Sequence, residues 1–239
     1  MRISGFAVNF ALLGLLALIV ALTGCGGPTA EPEPAAEAST AMPVLVQPDG
    51  SYPTAPLEKD TVVVKVIQNG VVNLQEAPSV AAGLQTNLEK MVYMSAQACE
   101  ESPKPDFLLF NEFPLTGYSF GTRAEKLEFT IRIPGPETDQ LGVVAMQCDA
   151  YIIFGSYARD PDWPGHILSI NTVIDRDGAV AQKYWKTRNI KRFLPDGEIP
   201  TTTIENVRDR YRAMYGVEAE FPVLKTEFGN IAVSTVQLD

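Results

Sequence analysis

Two side chains stand out as able to do chemistry. Glu112 follows the apolar tetrapeptide Phe107-Leu-Leu-Phe110, and Lys186 follows Lys183-Tyr-Trp185, the end of another strand-like run. In an open α/β sheet, ligands sit beyond the carboxyl ends of the strands. A carboxylate and an ammonium on neighbouring strand ends could act there as general base and oxyanion stabiliser around a third, nucleophilic group. The plainer alternative is two surface side chains that solvate loop starts. Other chemistries have less to work with. Three Cys without a CxxC pair and a single His, His166, give no zinc-ligand spacing, so no metal or cofactor is expected. A Ser-His-Asp mechanism would need His166 as its base, and that residue sits beside Pro164-Gly165 and reads as a surface loop residue.

The elements that must position Glu112 and Lys186 start near Thr61. Val62 to Ile67 reads as a buried strand, and Leu84, Leu88, Met91, Ser95 and Ala98 recur at helical spacing, with Cys99 extending the stripe. Phe107 to Phe110 is a short apolar strand. Leu141, Val144, Ala145 and Cys148 mark a second helix, and Tyr151 to Phe154 a further buried strand. Strand, helix, strand, helix, strand with apolar strands implies parallel pairing covered by helices. Ile167 to Ile174 and Ala179 to Trp185 then flank Asp175-Arg-Asp-Gly178, a hairpin signal. Thr202-Thr-Ile-Glu205 has capping-box spacing ahead of Ile204, Val207, Tyr211 and Met214, with Gly216 as the C-cap. Asn230 to Val236 reads as one more strand.

The 239-residue length fits one domain plus tails, and 46% hydrophobic residues exclude a wholly disordered chain. A net charge of -10 without a basic stripe argues against a nucleic-acid partner. Arg2 and the twelve-residue apolar run Ala11 to Leu22 suit a signal-peptide core, being shorter than the roughly 20 residues of a membrane span. The ending Leu22-Thr-Gly-Cys25 resembles the bacterial lipoprotein signal, so residues 1–24 are expected to be removed. Cys25 would then be lipidated and held in the bilayer of the cell envelope. Residues 25–60 hold seven of the 18 prolines among Ala, Glu, Ser and Thr and read as a disordered tether; residues 61–239 read as the folded domain.

Along that domain the order of segments resembles the nitrilase superfamily, the carbon–nitrogen hydrolases. Val64-Lys-Val-Ile-Gln68 looks like the first strand, Asn87 onward like the first helix, and Phe110-Asn-Glu-Phe-Pro-Leu-Thr-Gly-Tyr118 like the catalytic-Glu motif, with Asn111 where Pro is usual. Ile133-Pro-Gly-Pro136, Gly155-Ser156, Asn171-Thr-Val-Ile-Asp-Arg-Asp-Gly178 and Tyr184-Trp-Lys186 follow in family order. The resemblance implies a four-layer α-β-β-α sandwich and a Glu-Lys-Cys site. A thiolate there attacks an amide or nitrile carbon, Glu moves the proton and Lys stabilises the developing charge. Glu112 and Lys186 carry over, with Glu198 as the match for a further carboxylate. It also suggests a homodimer paired through its helices.

The third member of the set is missing. In Phe228-Gly-Asn-Ile-Ala-Val-Ser-Thr-Val-Gln-Leu-Asp239 the nucleophile position falls on Val236, whose isopropyl group can neither attack nor give a proton. Ser234 lies on the same strand face, about 6.5 Å back, and is expected to be buried and misplaced; Thr235 points the other way. Cys99 and Cys148 sit on apolar helical stripes, as small core residues or, given an exported location, as a disulfide between two helices on one face. The family fold continues beyond the nucleophile strand, so a domain ending at Asp239 is expected to be incomplete. The functional expectation is a membrane-anchored relative of amidases and nitrilases acting on small non-peptide C–N bonds, inactive as given. The alternatives are a non-catalytic lipoprotein that binds a small amide or nitrile, and a purely structural scaffold.

Overall fold

A computed structural model describes residues 51, 53–118, 122–189 and 201–235. Strand β1 (Val64–Ile67) leads into helix α1 (Val80–Glu100), β2 (Phe107–Phe110), the short α2 (Arg123–Glu128), β3 (Ile131–Arg132) and α3 (Pro136–Cys148). Then come β4 (Tyr151–Arg159), β5 (Leu168–Ile174), β6 (Val180–Trp185), α4 (Ile204–Tyr215), β7 (Leu224–Thr226) and β8 (Gly229–Ile231). The sheet order is β1-β2-β4-β5-β6, with β3 also paired to β4. β1, β2 and β4 run parallel, whereas β4, β5 and β6 are antiparallel, matching the change from helical crossovers to a hairpin read in the sequence.

Both helical stripes bury as their spacing requires. Ser79 caps α1 through its side chain to the Ala82 N–H, and Leu88, Met91 and Ser95 are buried beneath it. Pro136 opens α3, and Leu141, Val144, Ala145 and Cys148 pack with Leu108, Phe110, Ile152 and Phe154 on one face of the sheet. Cys99 and Cys148 are joined in a disulfide that ties the two helix ends together. The hairpin turn is held by the Asp175 carboxylate, which accepts from the N–H groups of Asp177 and Ala179, with Gly178 at φ 82°. On the opposite face Phe107, Tyr151, Ile153, Val173 and Tyr184 meet Leu224, Phe228 and Ile231 of the β7–β8 ribbon. The fold is mixed α/β, with α1 and α3 on one face of the sheet and the β7–β8 ribbon on the other.

Several local expectations shift. β1 begins at Val64 and is an edge strand, so Val64 and Val66 are 51% and 75% exposed instead of buried. α2 was not anticipated, although Thr122 and Glu125 form the reciprocal capping box that announces it. The cap of α4 is Thr203 with Asn206, one residue later than the Thr202–Glu205 spacing suggested, and Met214 is 41% exposed. The strand expected over 230–236 is only β8, a three-residue arm of a ribbon whose first arm, β7, the sequence hides in a mixed polar stretch. The chain leaves the ladder after Ile231, and Ser234 is exposed, not buried. No helix among the described residues is long and apolar enough to cross a membrane.

Contacts to the domain begin before Thr61. Lys59 pairs with Asp106 at 2.6 Å, and the Glu58 N–H donates to the Glu227 carbonyl. Arg176, at the hairpin turn, gathers Asp149 (2.7 and 2.9 Å), Glu227 (2.6 Å) and Glu58 (3.2 Å) while lying over the Phe228 ring. The guanidinium holds Asp149 below the usual carboxylate range. For Glu227, burial acts upward but is outweighed by bonds from Arg176, its own backbone and Tyr151. Carboxyls depressed in the folded state add stability that is present above their unfolded value, near 4.5 for Glu, and lost as pH falls through the folded one. Arg176→Met is therefore expected to destabilise the domain by about 1 kcal/mol at neutral pH, since Asp149 and Glu58 are exposed and screened by solvent, with a penalty that shrinks on acidification below about pH 4. Urea midpoints measured from pH 7 to pH 3 check this; a pH-independent difference would rule out the clamp as the cause.

Candidate active site

The two residues singled out in the sequence meet. Lys186 Nζ donates to Glu112 Oε1 at 2.9 Å. Their strands, expected to be neighbours, are not: β4 and β5 stand between β2 and β6, a gap of about 14 Å at normal strand spacing. The chain closes it at Gly155 of β4, whose missing side chain lets residues 111 and 112 lie across the strand. The Gly155 N–H donates to the Asn111 carbonyl at 3.3 Å, and a Cβ on Gly155 would fall 2.0 Å from the Glu112 carbonyl oxygen. Gly155-Ser156 was read only as a family marker; its physical role is this crossing.

Lys186 is held by backbone on both sides. Its N–H donates to the Ser169 carbonyl at 2.9 Å, and its carbonyl accepts from Ile204 at the start of α4 at 3.1 Å. The Lys186 side chain is 9% exposed and that of Glu112 32%, so the ammonium is enclosed and the carboxylate faces outward. The loop after Glu112 is fixed by two asparagines that the sequence reading did not single out as site supports. Asn87, fully buried on α1, donates to the carbonyls of Val72 and Leu115 and accepts from Val72 N–H; Asn69 donates to the Pro114 carbonyl. An Asn set beside the Leu84, Leu88, Met91 stripe was the available signal, because a polar group on an apolar face must find partners. Phe113, next to Glu112, packs on Tyr157 with ring centres 4.4 Å apart.

The segment ahead of Val236, where the nucleophile position is expected, reaches β5. Asn171 Nδ2 donates to Thr235 Oγ1 at 2.6 Å, and Tyr184 OH donates to the Ile231 carbonyl at 3.2 Å. Asn171 is the register partner of both Gly155 and Tyr184, so 231–235 passes over the face that the Glu112 loop also reaches. Val236, Glu198 and Cys25 lie outside the described residues. His166 is half-buried, against its reading as a surface residue. Its Nδ1 bonds Thr202 Oγ1 at 2.9 Å and its ring meets Trp163 edge-on. Burial first, then Arg123 and Arg210, push its pKa down, so it is neutral at pH 7. The geometry thus offers a carboxylate able to accept a proton and an adjoining buried ammonium able to stabilise negative charge.

The carbon–nitrogen hydrolase family model matches residues 70–237. Among solved structures the chain is similar to an N-terminal amidase, at 24% identity over 54% of this chain and 28% of that one, with a TM-score of 0.45. It is also similar to a carbon–nitrogen hydrolase from Helicobacter pylori G27, at 15% identity over 61% and 43% with a TM-score of 0.45. The C. elegans NitFhit protein matches at 18% identity over 59% and 31%, TM-score 0.43. This chain therefore spans less than half the length of each of these structures. No curated protein matches it. The family match runs over well more than half the sequence and takes in Glu112 and Lys186: the chain belongs to the carbon–nitrogen hydrolase family.

Proposed function

We propose that this protein presents the proton-transfer and charge-stabilising half of an amidase-like site acting on small non-peptide C–N bonds. It is tethered to a bacterial envelope membrane through lipidated Cys25 and does not turn substrate over as given. The observation that carries this reading is the 2.9 Å contact between Glu112 and the enclosed Lys186. In a complete site of this class Glu112 would take the proton from the nucleophile and return it to the leaving amine. Lys186 would stabilise the charge on the former carbonyl oxygen. Val236 offers no lone pair, so the bond-making step has no agent. The membrane reading rests on the Leu22-Thr-Gly-Cys25 ending, and a Cys99–Cys148 disulfide suits an exported, oxidising location.

A second reading, a binding protein that holds a small amide or nitrile without cleaving it, is favoured by the outward-facing Glu112 carboxylate beside a buried ammonium. One set of measurements treats both. Incubating the full chain with simple amides and nitriles is expected to release no ammonia, while a bound amide raises the melting temperature, an effect abolished by Glu112→Gln or Lys186→Met. Ammonia release that disappears with Glu112→Ala would overturn the inactive reading. Palmitate labelling lost in Cys25→Ala tests the anchor.

A further inference from the structure

We propose that a second cleft, apart from the Glu112–Lys186 pair, binds a small soluble oxyanion, a carboxylate or phosphate, between Arg132 and Arg159. The cleft has a volume of about 310 Å³, at the low end of small-molecule sites, and is lined by Leu127, Thr130, Arg132, Arg159, Trp163 and His166 among others. Arg132 and Arg159 are register partners on the parallel strands β3 and β4, so their side chains leave the same face about 5 Å apart. Both are exposed, and neither has a hydrogen bond or ion pair with any described residue.

Two like charges placed directly opposite on adjacent strands destabilise a sheet. The usual remedy, an acidic neighbour, is spoken for: Asp160, which also lines the cleft, pairs with Lys183 at 3.3 Å. The surroundings add positive charge. Arg123 donates to the Gly165 carbonyl at the rim, and Arg210 lies over the Trp163 ring at 4.1 Å while donating to the Asp162 carbonyl. In a chain of net charge -10, this concentration of guanidinium groups runs against the composition. His166 has Nδ1 engaged with Thr202, which leaves Nε2 without a partner among the described residues. Paired guanidinium forks match the oxygens of a carboxylate or phosphate in a way that ammonium groups do not.

Calorimetric titration of the full chain with inorganic phosphate and with succinate, at constant ionic strength against a sodium chloride control, tests this. Saturable binding of at least one anion is expected, weakened about tenfold or more in Arg132→Gln/Arg159→Gln, since both charge-assisted hydrogen-bonding groups are lost. The melting temperature of that ligand-free double variant should not fall, because both residues are exposed and the substitutions remove repulsion. Lys186→Met should bind the anion as the parent does, which separates this cleft from the site above. No saturable binding of either anion, equal binding by the double variant, or binding lost in Lys186→Met instead would each overturn the proposal.

Discussion

Replacing Cys99 and Cys148 with alanine is expected to cost about 4 kcal/mol. The bond spans 49 residues, and the entropy removed from an unfolded chain by a closure of that length corresponds to about 4 kcal/mol at 25 °C. The half-buried Cys99 and the buried Cys148 add a smaller packing term where α1 meets α3. Urea unfolding of the parent and the double variant, compared through both midpoint and slope, measures the effect. Thiol titration of the denatured parent should find neither residue free. A difference under about 1 kcal/mol would mean that the two helices are clamped by packing alone.

Gly155→Ala is expected to be nearly as damaging, and it links the fold to the site. Its new methyl would stand 2.0 Å from the Glu112 carbonyl oxygen and 2.7 Å from the carbonyl carbon, so backbone, not a flexible side chain, must move. Overpacking of this kind costs about 3 kcal/mol. Lifting residues 111 and 112 off β4 also draws Glu112 away from Lys186. Gly70→Ala, whose methyl would meet nothing within 4 Å, is the control and should stay within about 0.5 kcal/mol of the parent. Non-additive stability changes when Gly155→Ala is combined with Lys186→Met would locate the damage at the pair. Should Gly155→Ala prove as harmless as the control, the loop does not rest on the strand and the account of how the pair assembles fails.

What could be read in the sequence follows from how local its cause is. The stripes of α1 and α3 and the Asp175–Gly178 turn are set by residues within a few positions of one another, and each appears where the spacing put it. Glu112 and Lys186 were legible because strand ends and motif order mark them. That two strands separate them was not, since sheet order depends on contacts 40 or more residues apart, such as Phe107 with Tyr151. The burial of β1 was overread because Val-rich runs look alike at an edge and at a centre; only its neighbours tell them apart. β7 and β8 escaped because three-residue arms carry too little periodicity to register, and their pairing depends on cover from the sheet face beneath.

The Arg176 clamp has a mechanical side. It fastens the arm through Glu58 at the hairpin end of β5 and β6, whereas Lys186 follows the far end of β6, roughly 20 Å along the strand. A pull transmitted through Glu58 would load the Arg176 ion pairs, at the end of the sheet away from the Glu112–Lys186 contact. Strain entering at Glu58 would therefore reach the Glu112–Lys186 contact last.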